Sequence, residues 1–152
     1  METKTQVHAL PDRQELFITR EFSLPVSLLF KAYAEPELLA QWMGTHVVKL
    51  ENRAHGGYRF ETTDPRGQVH GFHGTIHEFV PNQKITRTFE MENSGFGPQL
   101  EFLEFEALDE KKSKLLIHTV FRSIALRDAL LRLPFARGID LAHNRLENLF
   151  TL

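Results

Sequence analysis

The chain has no cysteine, one tryptophan and two tyrosines in 152 residues. Without thiols there is neither a disulfide framework nor a thiolate metal site, so stability has to come from a packed core. Basic runs are missing too. Eighteen Lys and Arg stand against twenty Asp and Glu, a formal charge of −2, which argues against nucleic acid and anionic membrane as partners. No stretch is long and apolar enough for membrane insertion, and Met1 to His8 lack the apolar core of a signal peptide. The expected location is cytoplasmic. Phenylalanine, by contrast, is plentiful at thirteen residues. A chain of this length buries roughly 70% of its unfolded surface, enough for one core.

Residues 1–12 are polar and end in Pro11-Asp12, which reads as a flexible arm ahead of a single domain over 13–152. Leu16, Ile18 and Arg20 alternate with Phe17, Thr19 and Glu21, the period of a first strand. Ser23 and Pro25 then start a helix whose apolar face is Val26, Leu29, Phe30 and Tyr33. Pro36 opens a second short helix that stops near Gly44. Six further strands are predicted at 47–52, 57–62, 69–80, 84–91, 100–108 and 114–121. Turn residues such as Asp64-Pro65-Arg66-Gly67 and Pro81-Asn82-Gln83 separate them closely enough for a meander. Leu126, Ala129, Leu130 and Leu133 share one helical face until Pro134 interrupts it. Phe135, Ile139, Ala142, Leu146, Leu149 and Phe150 continue as a second stripe, with Gly138 able to let the helix approach a sheet. Gly56 or Gly57 is expected to supply a positive φ or a bulge before the third strand, with Arg53 pairing locally.

Three segments in this order carry a family likeness: Pro36 to Trp42-Met43-Gly44, Arg53-Ala54-His55-Gly56-Gly57-Tyr58-Arg59-Phe60, and Gly74-Thr75-Ile76-His77-Glu78-Phe79-Val80-Pro81. With the flanking helices they resemble the SRPBCC or START-like helix-grip superfamily over about residues 14–151. The nearest branch is similar to the C-terminal domain of the activator of the heat-shock-protein-90 ATPase. The resemblance implies an α+β fold in which a curved antiparallel sheet wraps a long C-terminal helix, with two short helices between strands one and two. It also implies a ligand cavity between sheet and helix. Two departures mark this chain. Met43 follows Trp42 where the family often has a second tryptophan, and Gly138-Ile139 stands where Gly-Trp is frequent.

Few chemistries survive inspection of the residues. His73 and His77 share a strand face but lie roughly 13 Å apart at about 3.3 Å per residue. His70 points the other way, so no metal is expected. There is no Gly-x-Ser-x-Gly elbow, and Gly95-Phe96-Gly97 runs into Pro98 rather than into a phosphate-binding helix. No catalytic residue and no cofactor are assigned. Strand phase places Arg87 inward with Ile85 and Phe89, Glu101 with Leu103 and Phe105, and Thr119 with Leu115 and Ile117, while His118 faces away. Arg87 then either pairs with Glu101 across adjacent strands or snorkels to solvent.

His143, at the edge of the last apolar stripe, either offers an imidazole to a ligand or is a boundary residue. The face of His73 is open, because Gly71 and Gly74 flank it on opposite faces. Trp42, Tyr58, Phe60, Phe89 and Phe105 line a pocket or fill the core. The candidate ligand-binding set is therefore Trp42, Tyr58, Phe60, His73, Arg87, Phe89, Glu101, Phe105, Ile139 and His143.

The function expected is the binding of a small apolar or aromatic ligand, reached past loops 43–47 and 93–98 and the Pro134 break. A cyclase-, dehydratase- or hydrolase-like enzyme using the same cavity is one alternative. A co-chaperone-like module with a chaperone partner is another. An open sheet also has edges to protect, which allows a homodimer.

Overall fold

The computed structural model describes residues 3–150. Its elements in chain order are β1 (Gln6–His8), β2 (Glu15–Phe22), α1 (Val26–Ala34), α2 (Pro36–Met43), β3 (His46–Leu50), β4 (Gly57–Thr63), β5 (Val69–Val80), β6 (Lys84–Met91), β7 (Gln99–Ala107), β8 (Ser113–Val120), α3 (Ile124–Leu131) and α4 (Phe135–Asn148). The strands form one antiparallel sheet in the order β1-β2-β8-β7-β6-β5-β4-β3. Strand, two helices, strands and a last helix: this is the helix-grip arrangement, with β1 added at one edge.

Alternation within the strands decides what faces the helices. Leu16, Ile18, Arg20 and Phe22 of β2 are buried, as are Leu115, Ile117 and Thr119 of β8. The register aligns these positions in rows. Ile18, Ile117, Leu103 and Ile85 lie opposite one another across four strands. One level along run Leu16, Thr119, Glu101, Arg87 and Ile76. The first row is apolar throughout, whereas the second carries three polar side chains at its centre.

Helices α1 and α2 cover one end of this inner face. Leu29, Phe30, Ala32 and Tyr33 are buried from α1, and Leu39 and Trp42 from α2. The Trp42 indole donates to the Ala32 carbonyl at 2.9 Å, fastening one helix to the other. Helix α3 begins at Ser123, whose hydroxyl accepts from the Leu126 amide at 3.1 Å. Helix α4 runs across the sheet from Phe135 and Ile139 at one end to His143 and Leu146 at the other.

Four expectations need correction. Instead of a loose arm, residues 3–8 are fixed: β1 pairs with β2, and the Lys4 and Thr5 amides both donate to Asp140 Oδ1 at 2.9 Å. Polarity there answers buried polar groups rather than water. Residues 1–2 of that segment, like 151–152, lie outside the described residues. Gly138 meets nothing within 4 Å where a Cβ would project, so it permits no close approach. Leu133 falls beyond the end of α3 and is exposed. The positive φ before β4 belongs to His55, at 67°. Gly56 is needed for proximity instead, since a Cβ would sit 2.1 Å from the Glu51 carbonyl oxygen. Arg53 does pair locally, with Glu51 at 3.4 Å.

Candidate functional site

The inner face divides into a packed half and a hollow half. In the packed half, Tyr33 lies against Trp42 and Phe105 with ring centroids 4.9 and 5.6 Å apart, and Phe30 meets Phe105 and Phe79 edge-on. Fully buried His143 sits among them, its Nδ1 2.9 Å from Thr5 Oγ1 and its Nε2 3.0 Å from the Tyr33 hydroxyl. Burial, reinforced by the Arg20 guanidinium and opposed by Asp140, pushes this imidazole down to about 3, so it is neutral. Arg20 is equally enclosed. Its Nη1 donates to Asn144 Oδ1 at 2.8 Å and to Thr5 Oγ1 at 3.2 Å, while its Nε has no partner among the described residues. These groups bind β1, β2, α1 and α4 together.

The hollow half encloses a cavity of about 310 Å³. Its floor is the sheet: Leu16 and Ile18 from β2, Phe72 from β5, Phe89 and Met91 from β6, Ile117 from β8, with Phe121 just beyond. Its roof is Leu130 of α3 with Phe135 and Ile139 of α4, and Met43, Phe96 and Gly97 stand at the rim. Two surface hollows of about 470 and 340 Å³ are larger, but they are open depressions with charged rims of Lys84, Glu104 and Lys114 or Lys4, Arg20 and Glu21. The partly open space beneath α3 and α4, with its largely apolar lining, is suited to a small molecule.

Among the described residues, polar side chains enter that space along the second row of the sheet and at Gln99. Arg87 Nε donates to Glu101 Oε1 at 2.9 Å, and Gln99 Nε2 donates to Glu101 Oε2 at 3.0 Å. The side chains of the ion pair are only 10% and 13% exposed, which removes the snorkelling alternative for Arg87. Burial works against the charge on Arg87, but the Tyr58 oxygen and the Glu101 carboxylate outweigh it and the net shift is upward. The guanidinium carbon lies 5.2 Å above the Tyr58 ring. Burial holds the phenols of Tyr33 and Tyr58 well above their ordinary range, so both stay neutral.

Of the ten candidate residues, Arg87, Phe89, Glu101 and Ile139 line the cavity. Trp42, Tyr58, Phe60, Phe105 and His143 are buried in the packing around it. The Tyr58 hydroxyl is spent on the Thr88 carbonyl at 2.6 Å. His73 lies on the opposite face of the sheet, where its Nδ1 is 2.8 Å from Glu92 Oε2 and Arg59 pairs with the same carboxylate. Phase explains the difference: Phe72 points inward, so His73 cannot.

Met43, Phe72, Met91, Phe96, Gln99, Thr119, Leu130 and Phe135 also line it, as do Leu16, Ile18, Gly97, Ile117 and Phe121, although the candidate set omitted them all. Thr119 was within reach of strand phase. Phe96 was not, because a loop has no period. The loops at 43–47 and 93–98 and the segment after Pro134 do border the cavity, through Met43, Phe96 and Phe135.

Among the described residues, no three His, Asp or Glu side chains are placed to hold a metal ion, and no helix is long and apolar enough to cross a membrane. Comparison with known proteins gives a family match over residues 23–151, to the Activator of Hsp90 ATPase homolog 1-like proteins. No curated protein matches the chain. Protein Ms6760 from Mycobacterium smegmatis is 21% identical, with a TM-score of 0.84 over 98% of this chain and 96% of its own. A Rhodobacter sphaeroides protein is 20% identical, with a TM-score of 0.82 over 93% and 96% of the two chains. A solution structure from Arthrobacter aurescens reaches a TM-score of 0.85 at 15% identity, covering 95% of this chain and 90% of its own. At these identities the likeness is one of fold.

Proposed function

Because the chain belongs to the Activator of Hsp90 ATPase homolog 1-like family, we propose that it is a binding protein for a small apolar or aromatic molecule held between the sheet and α4. One observation carries this reading. A cavity of about 310 Å³ lies beneath α4, walled by side chains such as Ile18, Phe72, Phe89, Ile117, Phe135 and Ile139. A guest there removes apolar surface from water on both sides, at roughly 25 cal/mol per Å². At ~30 Å³ for each water-sized atom, the space suits roughly ten non-hydrogen atoms.

Binding is favoured over turnover by the state of the titratable groups. Both Glu101 oxygens already accept hydrogen bonds. The Tyr58 hydroxyl is committed to a backbone carbonyl, and His143 is sealed in the packed half. Among the described residues no free base faces the hollow, as general base catalysis requires. Thermal shift against a panel of alkylbenzenes, aryl ketones, short lipids and polar metabolites tests the proposal. Apolar and aromatic members of about ten non-hydrogen atoms should raise the melting temperature in a dose-dependent way, and polar ones should not. A flat response to the apolar panel removes the reading.

A further inference from the structure

We infer that the ligand is a neutral molecule carrying a carbonyl-type oxygen, and that this oxygen docks on the Arg87–Thr119 edge of the cavity. The inference rests on the cavity reading above and narrows its ligand class.

The polar row has more donors than acceptors. Arg87 uses only Nε on Glu101. Among the described residues its two terminal nitrogens make no hydrogen bond, and the same holds for the Thr119 hydroxyl. Neither group is a sealed orphan, for the one fully enclosed unpaired side-chain atom among these residues is Arg20 Nε. Both Arg87 and Thr119 line the hollow. Their open valences therefore face the place where a guest sits, though each residue is more than nine-tenths buried.

Register brings them together. Arg87 lies opposite Glu101, and Glu101 opposite Thr119, on three neighbouring strands. Glu101 between them already holds two donors, from Arg87 and Gln99. What the row lacks is an acceptor. An oxygen with two lone pairs supplies it, taking N–H bonds from the guanidinium and the O–H of Thr119.

Charge selects among acceptors. Arg87 and Glu101 form a neutral pair, so a carboxylate guest would leave one uncompensated negative charge in an apolar space. A ketone, amide or ester oxygen adds none. A hydrocarbon leaves the donors unmatched, and this is the kind of site that discriminates strongly against an analogue lacking the polar group.

The test uses three compounds of nearly one shape, each with nine non-hydrogen atoms: cumene, acetophenone and benzoate. Calorimetric affinities are measured for the full chain and for the double variant Arg87→Met/Glu101→Leu, which replaces the ion pair with apolar groups. Acetophenone should bind the double variant at least tenfold more weakly, while cumene binds it equally well or better. Thr119→Val should weaken acetophenone about threefold and leave cumene unchanged. In the infrared, the carbonyl stretch of bound acetophenone should lie lower in the native chain than in the double variant.

Equal changes for cumene and acetophenone overturn the inference and leave the cavity reading standing. Benzoate binding the native chain more tightly than acetophenone also overturns it. Failure of both cumene and acetophenone to bind the native chain removes the cavity reading and the inference together. Should the double variant not fold, Arg87→Lys keeps the charge beside Glu101 but loses the guanidinium fork. It should show the same tenfold loss for acetophenone alone, and an unchanged affinity overturns the assignment.

Discussion

His143 shows how one residue links burial to pH. The fold holds its imidazole neutral, with the folded value pushed down to about 3, whereas an unfolded histidine titrates near 6.5. Between those values the unfolded chain binds the extra proton, so acid favours unfolding. The stability that His143 contributes is complete above pH 6.5 and declines as pH falls toward 3, by about 1.4 kcal/mol for each unit crossed. Urea titrations from pH 7.5 to 5 should show this slope, and His143→Gln should flatten it by close to one proton. Parallel curves for the two proteins would mean that His143 is protonated inside the fold. The residue also marks a limit of sequence reading. Spacing along α4 puts it beside the apolar stripe, but its partners Thr5 and Tyr33 are 138 and 110 positions away. For Arg87 and Glu101, strand phase and neighbouring strands put the two side chains within reach but left pairing and snorkelling both open, and only the burial of the pair decides between them. Strand alternation puts Arg20 on the face of Leu16 and Ile18, but its partner Asn144 lies on α4, too far along the chain for any local pattern to name.

Among the elements, strands were the most legible. Alternation and turn residues gave 69–80 and 84–91 with the bounds β5 and β6 have, and the other strands to within one or two residues. β1 escaped because three residues carry too little period to detect. Its anchorage depends on backbone amides meeting Asp140, which side-chain pattern does not report. Phase in β5 stayed open for a related reason: glycines at 71 and 74 leave no side chain to read. Contact settles it. A Cβ at Gly74 would lie 2.0 Å from the Thr88 carbonyl oxygen and 2.7 Å from the Tyr58 hydroxyl. The first of these atoms is backbone and cannot swing aside. Gly74→Ala should therefore prise β5 from β6, at a cost of about 3 kcal/mol, the upper end for overpacking. Chemical denaturation measures that loss, and hydrogen exchange should place the new opening between these two strands. A substitution that costs less than about 0.5 kcal/mol contradicts the close approach.

At the scale of the whole molecule, dense packing and hollow space occupy different parts of the same inner sheet face. The packed half joins β1, β2, α1, α2 and α4 through Trp42, Tyr33, His143 and Arg20. The hollow half is roofed by α3 and the first turns of α4, and its lining atoms lack dispersion partners on one side. Such a division lets the hollow be altered without unfolding the chain. Ile139 sits in the roof and on the cavity wall, so Ile139→Trp should fill much of the void with an indole. Cavity filling typically contributes about 0.5–2 kcal/mol, which corresponds to a rise of roughly 2–6 °C in melting temperature at this size. The same indole should exclude a nine-atom guest and lower its affinity at least tenfold. Both changes have to appear together, because both follow from occupation of one space. A variant that melts higher yet binds aryl ketones as before would place the ligand elsewhere. One that melts lower, with binding abolished, would mean that the hollow needs its present shape to remain folded.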